Sequence, residues 1–339
     1  GREELKQHLT AGQHVPDDLH RPYIDQVTLT CPQCHGEMHR VKDVVDCWLD
    51  SGSMPFAQYH YPYEHQALFQ ERYPAEFISE GIDQTRGWFY TLLVMNSILF
   101  GKSPYRHCLT FELVLDEKGE KMSKSRGNVV NVDEVLSESG ADAIRWSMFF
   151  SSTPYVPRRF SKQMVSDAYK NFILPWKNVL SFFITYANID HWQPSQLSLL
   201  PSDVHNPLDQ WVLSRLHSTI RSVTQNLDAY EVNAGAKAIY AFLEEVTNWY
   251  IRRSRRRFWK NEADQDKEIA YAVLYRIIVS SSRLMAPFTP FLAEYIHRCL
   301  AVARCESYES VHLAPFPEAE LDWINPTLED SVSFAREIV

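Results

Sequence analysis

Two lysines and two serines lie close together in one short segment, Lys121–Ser125, which reads Lys-Met-Ser-Lys-Ser. Ammonium groups act as point charges on phosphate oxygens, and they matter most where negative charge grows, as on a leaving pyrophosphate. A solvated basic loop is the simpler interpretation of a bare Lys-x-x-Lys. The full pentapeptide follows a predicted strand and the turn Asp116–Gly119, and this setting favours a loop that binds polyphosphate.

A second polar segment, Glu80–Trp88, lies where a predicted strand ends and a predicted helix begins. Ligands of open α/β sheets bind at such carboxyl ends of strands, and Gly81 permits close approach of the backbone. The first carboxylate of the segment can pair with an ammonium group, and Asp83 and Gln84 can hydrogen-bond ribose hydroxyls. A helix start that Asp83 or Thr85 merely caps is equally open at this point.

Cys31 and Cys34 have the spacing of a zinc knuckle. Such a pair needs two more ligands, and His35, His39 and Cys47 are near in sequence. The alternative is a pair of free thiols in a turn. The pair therefore makes Zn²⁺ a candidate metal.

A dense basic run lies in a predicted helix. At helical spacing, five cations and a tryptophan share one broad face: Trp249, Arg252, Arg253, Arg256, Arg257 and Lys260. Arginine forks suit phosphates, and an aromatic ring can stack on a base. The net charge of −9 gives no global basic field, so nucleic acid must be bound by a local patch such as this one. The alternative is that these arginines pair with acids such as Glu244 and Glu245, or are solvated.

The elements that must position these groups fall into two parts. Up to about residue 150, strands are predicted at Pro74–Glu80 and His107–Leu115, with a helix at Thr85–Phe100 between them. Strand, helix and strand in this order predict an α/β domain with a parallel sheet. Helices are also predicted at Val132–Glu138 and Ala141–Phe150.

Long helical patterns begin near Lys162 and predict an all-α bundle. They cover Val165–Ala187, Leu208–Leu227, Ala234–Lys260, Lys267–Ala286 and Phe291–Val302. The predicted fold class is therefore α/β plus all-α.

Length and composition fit this division. A chain of 339 residues suggests about two domains, and 45% hydrophobic residues are ordinary for a globular protein. No apolar stretch is long enough to span a bilayer, so no membrane partner is expected. Six cysteines show no disulfide framework, which predicts a cytoplasmic location.

Several motifs together resemble the class I aminoacyl-tRNA synthetases, and among them the isoleucine branch. The matching segments are Asp46–Gly52, Met54–Ala57, His60–Pro62, Glu80–Trp88, Lys121–Asn128, Gly140–Ala143, Arg145 with Trp146, Asn248–Tyr250 and Met285–Pro290. They cover nearly the whole chain. The Gly-Ile-Asp-Gln-Thr-Arg-Gly-Trp string favours the isoleucine branch over the valine and leucine branches.

The resemblance implies roles for the matching residues. The aminoacyl-adenylate would be held by Glu80, Gly81, Asp83 and Gln84. ATP, with Mg²⁺, would be bound by the loop Lys121, Met122, Ser123, Lys124 and Ser125, in which the catalytic residues are Lys124 and its assistant Lys121. The amino-acid pocket would be supported by Trp48, Asp50 and Trp88.

The reaction that the resemblance implies joins isoleucine to ATP, giving isoleucyl-adenylate and pyrophosphate, and then passes the aminoacyl group to tRNA(Ile). The carboxylate attacks the α-phosphate in line, and the protein supplies positioning and charge neutralisation. Isoleucine and tRNA(Ile) are the implied partners, the basic face is the expected tRNA contact, and a monomer is expected.

Two features depart from the family pattern. No His-x-Gly-His motif occurs in the sequence, and we expect that motif, the editing domain and the remaining zinc ligands upstream of Gly1. The chain is accordingly interpreted as an internal fragment that cannot activate isoleucine alone. In addition, Glu112 stands where relatives usually carry a glycine, and a glutamate there can crowd or repel the nucleotide.

The predicted domains follow from this interpretation. Residues 1–40 are a remnant of a connective insertion with the cysteine pair, and residues 41–150 are the second half of a Rossmann-type catalytic domain. Residues 151–161 connect to a helical anticodon-binding domain at 162–339. The rivals are a valine or leucine enzyme, a tRNA-binding module with an incomplete nucleotide-binding fold, and a zinc-dependent DNA-binding protein, which the acidic balance disfavours.

Overall fold

A computed structural model describes residues 2–43, 46–194, 199–262, 264–300 and 308–338. The chain divides into two units, residues 1–110 and 111–339. Helices from residue 132 onward contribute side chains such as Trp146 to the core of the second unit, so the division falls before the domain boundary inferred near residue 150. The domain limits inferred from the sequence stay a prediction. Within the described ranges, no helix is both long and apolar enough to cross a membrane.

The first unit alternates short helices and strands. Its elements are α1 (Arg2–Gln7), β1 (Thr28–Thr30), β2 (Glu37–His39), α2 (Cys47–Gly52), α3 (Met54–Ala57), α4 (Gln66–Arg72), β3 (Ala75–Gly81), α5 (Trp88–Phe100) and β4 (Tyr105–Phe111). β1 and β2 form an antiparallel hairpin, and β3 pairs with β4. The amide N–H of Ala75 donates to the carbonyl of Pro104 (2.8 Å). The two strands therefore start side by side and run in the same direction, as predicted.

The second unit is mainly helical. Its elements are β5 (Val114–Leu115), α6 (Val132–Ser139), α7 (Ala141–Ser151), β6 (Arg158–Arg159), α8 (Lys162–Ala168), α9 (Leu174–Ile189), α10 (Pro207–Asp228), α11 (Val232–Glu244), α12 (Arg252–Trp259), α13 (Gln265–Met285), α14 (Pro290–Leu300) and α15 (Pro326–Ile338). The predicted helices of the bundle are present within the described ranges, and the last two residues of the one predicted at Phe291–Val302 lie outside those ranges. Two of the predicted long helices contain a π-helical turn, at Tyr169–Ile173 and Glu245–Ile251.

The prediction of one continuous strand at His107–Leu115 was wrong, because the structure has two strands there. β4 ends at Phe111, and β5 pairs in parallel with β6 instead. The chain changes partner at Glu112, whose amide N–H donates to the carbonyl of Pro154 (3.0 Å). Backbone N–H groups form hydrogen bonds with whichever acceptor lies next to them. A segment whose apolar and polar residues alternate as in one strand can therefore be divided between two strands.

Aromatic side chains fill much of the bundle core. Trp146 on α7 stacks on Phe172 with ring centroids 3.4 Å apart, and Trp176 and Trp211 are fully buried. Aromatic rings of this size bury large areas and dominate core energetics. The bundle helices are thus held mainly by packing.

The C-terminal segment is attached to α10 through a buried histidine. The Nδ1 atom of His217 accepts the amide N–H of Glu320 (3.1 Å), and its ring lies nearly parallel to that of Trp323. Burial and the adjacent Arg276 guanidinium lower the pKa of the His217 imidazole to about 4, against the opposing effect of the Glu320 carboxylate. The folded protein therefore keeps this ring neutral.

This pKa shift predicts a loss of stability as the pH falls from 6.5 to about 4. In that window the unfolded chain binds a proton at His217 and the folded chain does not, so protonation favours unfolding. The contribution is at most about 3 kcal/mol. Urea unfolding of the wild type and of His217→Gln at a series of pH values would check it. The variant should lose part of the pH dependence, and an identical dependence would contradict the assignment.

Candidate functional site

The polar segment after β3 forms a tight turn at the start of α5. Glu80 and Asp83 are exposed. The side-chain oxygen of Gln84 accepts the amide N–H of Trp88 (2.8 Å), and its nitrogen donates to the Asp83 carboxylate (2.9 Å). Gln84, rather than Asp83 or Thr85, therefore accepts the first amide of α5, and it contacts Asp83 as well.

Two glycines make this turn possible. A Cβ atom on Gly81 would lie 2.6 Å from a carboxylate oxygen of Asp83, and one on Gly87 would lie 2.6 Å from the side-chain oxygen of Gln84 and 3.0 Å from the Trp48 ring. Gly87 is buried. Close packing against its bare backbone thus positions both Gln84 and Trp48.

The structure brings the two tryptophans of the predicted amino-acid pocket to the same turn. Trp48 lies on α2 and contacts Gly87. Trp88 opens α5, and its ring N–H donates to the carbonyl of Ser51 (3.3 Å). Asp50 is exposed on α2. Trp48, Trp88, Gln84 and Gly87 therefore form one cluster in the first unit.

The lysine loop lies in the second unit and has a defined backbone. Lys121 forms an isolated bridge with Leu115. The hydroxyl of Ser123 accepts the amide N–H of Arg126 (3.3 Å), so Ser123 caps a 3₁₀ turn at Lys124–Arg126. Gly127 follows with φ +67°, a conformation that glycine adopts at no steric cost.

The ammonium groups of the loop face solvent. Lys121 and Lys124 are both exposed. The nearby Glu120 carboxylate pairs with Arg126 (3.4 Å). Because that acid is engaged by an arginine, the lysine charges stay available to an anionic ligand.

The two cysteines of the predicted knuckle lie on one turn of the β1–β2 hairpin. The amide N–H of Cys31 donates to the carbonyl of Gly36 (2.8 Å), and the amide N–H of His35 donates to the carbonyl of Cys31 (2.9 Å). Hydrogen bonds from the backbone of Cys34 and Gln33 to the Cys31 sulfur lower the pKa of this thiol. N–H groups aimed at a sulfur suit a thiolate ligand of a metal.

The pair supplies at most half of a tetrahedral zinc site. No group of three or more His, Cys, Asp or Glu side chains that could hold a metal ion occurs in the described ranges. The structure therefore does not bring His35, His39 or Cys47 together with the pair, and Zn²⁺ stays a prediction.

The exposed basic face of α12 differs from the predicted one. Ser254 and Phe258 are buried, which turns four arginines outward: Arg252, Arg253, Arg255 and Arg256. Arg253 stacks on Trp249, with its guanidinium carbon 3.6 Å from the ring centroid. Trp259 adds an aromatic side chain that is 53% exposed. Arg255 was missed by the sequence pattern, because the burial that orients the helix depends on its neighbours in the fold.

Arg257 and Lys260 are used inside the fold instead. Arg257 donates to both oxygens of the fully buried Asp209 carboxylate (2.8 and 2.7 Å) and pairs with Asp266 (2.8 Å). The Tyr250 hydroxyl also donates to Asp209 (2.9 Å). Burial alone would lower the pKa of the Arg257 guanidinium, but the Asp209 contact outweighs it and raises that pKa. Lys260 pairs with Asp264 (2.6 Å) and Asp266 (3.3 Å).

The alternative that the arginines of the basic run pair with Glu244 and Glu245 was wrong in its choice of acids. Glu245 pairs with Arg215 and with Arg336 of α15, both at 2.9 Å, and Glu244 contacts the Tyr240 hydroxyl. The real partners of the basic run are the three aspartates at 209, 264 and 266. The structural and the nucleic-acid interpretations thus apply to different residues of one helix.

Comparison with protein families matches both parts of the chain. Residues 2–158 match the model of tRNA synthetases class I (I, L, M and V), and residues 209–339 match the anticodon-binding domain of tRNA ligase. The chain therefore belongs to the class I tRNA synthetases, with part of the catalytic domain followed by a helical anticodon-binding domain.

Relatives that the sequence resembles include isoleucine--tRNA ligases. It is 45% identical over 338 residues to that of Clostridium kluyveri, covering 99% of this chain and 32% of the relative. It is also 45% identical over 339 residues to isoleucine--tRNA ligase 2 of Bacillus cereus, with the same coverage. The chain thus spans about a third of the length of these relatives.

A solved structure shares the fold. The chain resembles an Agrobacterium radiobacter LeuRS, determined in a ternary complex with tRNA and LeuAMS, with a TM-score of 0.70. The likeness covers 94% of this chain and 38% of that one at 21% identity. The predicted fold class is confirmed.

The buried pair at Asp209 predicts a large stability effect for Asp209→Asn. The change leaves the Arg257 charge buried with less compensation, and breaking a buried ion pair costs about 3–5 kcal/mol. Arg256→Ala, at the exposed neighbouring position, is the matched control and should change the free energy of unfolding by less than about 0.5 kcal/mol. Urea unfolding would measure both, and equal small effects would contradict a structural role for Arg257.

Proposed function

We propose that the protein containing this sequence is an isoleucine--tRNA ligase, which activates isoleucine with ATP and Mg²⁺ and transfers it to tRNA(Ile). The observation that carries this proposal is 45% identity along 99% of the chain to ligases of that name. The intact lysine loop, with exposed Lys121 and Lys124, supports the same proposal. The oligomeric state and the cellular location stay predictions.

In this proposal the lysine loop neutralises the phosphates of ATP. Lys124 lies on the capped turn and Lys121 at the bridge to β5, so both begin from defined backbone positions. Their charge matters most as pyrophosphate leaves. Mg²⁺ would accompany the nucleotide, as the phosphate charge requires.

The turn before α5 would hold the amino-acid and adenylate groups. Glu80 is exposed at the end of β3 and can pair with the ammonium group of isoleucine. Trp48 and Trp88 supply apolar surface beside Gly87. Since the Gln84 side chain hydrogen-bonds the Trp88 amide and the Asp83 carboxylate, any ribose contact would come mainly from Asp83.

The basic face of α12 would bind the phosphates of tRNA. We assign this role to the exposed arginines 252, 253, 255 and 256, with Trp259 as a surface on which a base can stack. Arg257 and Lys260 would act indirectly, because their charges are paired with aspartates.

Isoleucine-dependent exchange between ATP and pyrophosphate tests the proposed reaction. The full natural protein containing this sequence should catalyse it, and Lys124→Ala should lower kcat by about 10²–10³-fold, as expected for losing a group that stabilises transition-state charge. Lys118→Ala, an exposed lysine outside the loop, is the control. The 339-residue chain alone should show no exchange, because it has no His-x-Gly-His motif. A preference for valine or leucine, or exchange by the chain alone, would contradict these expectations.

Binding of the chain to tRNA(Ile) and to an unrelated tRNA over a salt series tests the basic face. Replacing Arg252, Arg255 and Arg256 by alanine should weaken binding at least tenfold, and should reduce the slope of log affinity against log salt by about 1 per lost phosphate contact. The control replaces three exposed cations on other helices, Lys170, Arg221 and Lys237. If both triple variants bind alike, α12 is not the contact.

A further inference from the structure

A single side chain connects the two ends of the lysine loop. The side-chain oxygen of Asn128 accepts the amide N–H of Ser123 (2.9 Å). Its nitrogen donates to the Asp116 carboxylate (2.8 Å) and to the carbonyl of Lys121 (3.3 Å). Asn128 therefore links the end of the loop at residues 121–128 to its start, and it attaches the loop to Asp116, which directly follows β5.

Asp116 is a fixed point for this contact. It follows β5, which is paired with β6. One of its oxygens accepts the amide N–H groups of Lys118 (3.0 Å) and Glu120 (2.8 Å), which leaves the other for Asn128. The Asn128 hydrogen bond, followed by that from Glu120, lowers the pKa of the Asp116 carboxyl, so this group is the charged acceptor of the contact.

The contact reaches the lysines through the backbone. Asn128 holds the amide of Ser123, and the Ser123 hydroxyl caps the turn that begins at Lys124. Lys121 is held through its carbonyl and through its bridge to Leu115. The backbone positions of both lysines thus depend on the same amide group.

The chemistry of the contact requires one amide and one carboxylate. Asn128 accepts on one side and donates on the other, which an uncharged amide does and an ionised carboxylate does not. An aspartate at 128 would place two carboxylates at the present separation of 2.8 Å, and like charges so close repel. An asparagine at 116 together with an aspartate at 128 would restore a donor facing an acceptor.

We propose that Asp116 and Asn128 are positioning residues that hold Lys121 and Lys124 in place for phosphate binding. The assignment of phosphates as the ligand rests on the proposed function. The positioning itself is a property of the loop and can be tested without the reaction.

The first test measures amide hydrogen exchange in the 339-residue chain. Asn128→Asp should speed exchange at the Ser123 and Arg126 amides at least tenfold, and Asp116→Asn with Asn128→Asp should reverse most of this. Asn131→Asp is the matched control, because Asn131 caps α6 and aspartate caps equally well. Exchange at the core helices serves as the check that the variants fold. Protection unchanged by Asn128→Asp would overturn the proposal.

The second test measures isoleucine-dependent pyrophosphate exchange in the full natural protein. Asn128→Asp should lower kcat about a hundredfold, the scale expected for misplaced catalytic groups, with the KM for isoleucine unchanged. The double variant should recover at least tenfold. An active wild type with an equally active Asn128→Asp variant would overturn the proposal. An inactive wild type would instead refute the proposed function, and the hydrogen-exchange result would then decide on the positioning role.

Discussion

A buried carboxylate, Asp209, organises the helical unit around α12. A charge removed from water is tolerated only when it is paired and hydrogen-bonded, and Asp209 receives both nitrogens of the Arg257 fork and the Tyr250 hydroxyl. These contacts fix the rotation of α12 about its axis. Because Arg257 points into the fold toward Asp209, the four exposed arginines of the same helix point to solvent. The surface proposed to bind nucleic acid therefore depends on an interaction that binds none.

Much of the fold was predictable because local signals agreed with packing. The structure places α10 at Pro207–Asp228, where the apolar periodicity had predicted Leu208–Leu227, and Asn131 caps α6 as its residue type indicates. The π turn at Glu245–Ile251 and the change of strand partner at Glu112 were not predictable. The change of partner depends on a hydrogen bond to Pro154, a residue distant in sequence, which no local pattern contains.

The candidate sites show the same limit. The residue types of the lysine loop predicted phosphate chemistry, but the role of Asn128 became visible only with Asp116, 12 positions away. Gln84 was expected to face a ribose, whereas a local hydrogen bond to the Trp88 amide uses its oxygen. In α12 the pattern identified a basic face but could not assign Arg257 to Asp209, 48 positions away.

The division of labour within α12 bears on how this protein can vary. Replacement by lysine at Arg252, Arg255 or Arg256 retains a cation in solvent. Each such replacement should therefore change the affinity for the proposed nucleic-acid partner only slightly and independently of the others. At Arg257 a lysine would keep the charge but lose the planar fork that reaches both oxygens of Asp209. Adjacent positions are thus under different constraints. Natural variants should carry either arginine or lysine at position 256 but keep arginine at position 257.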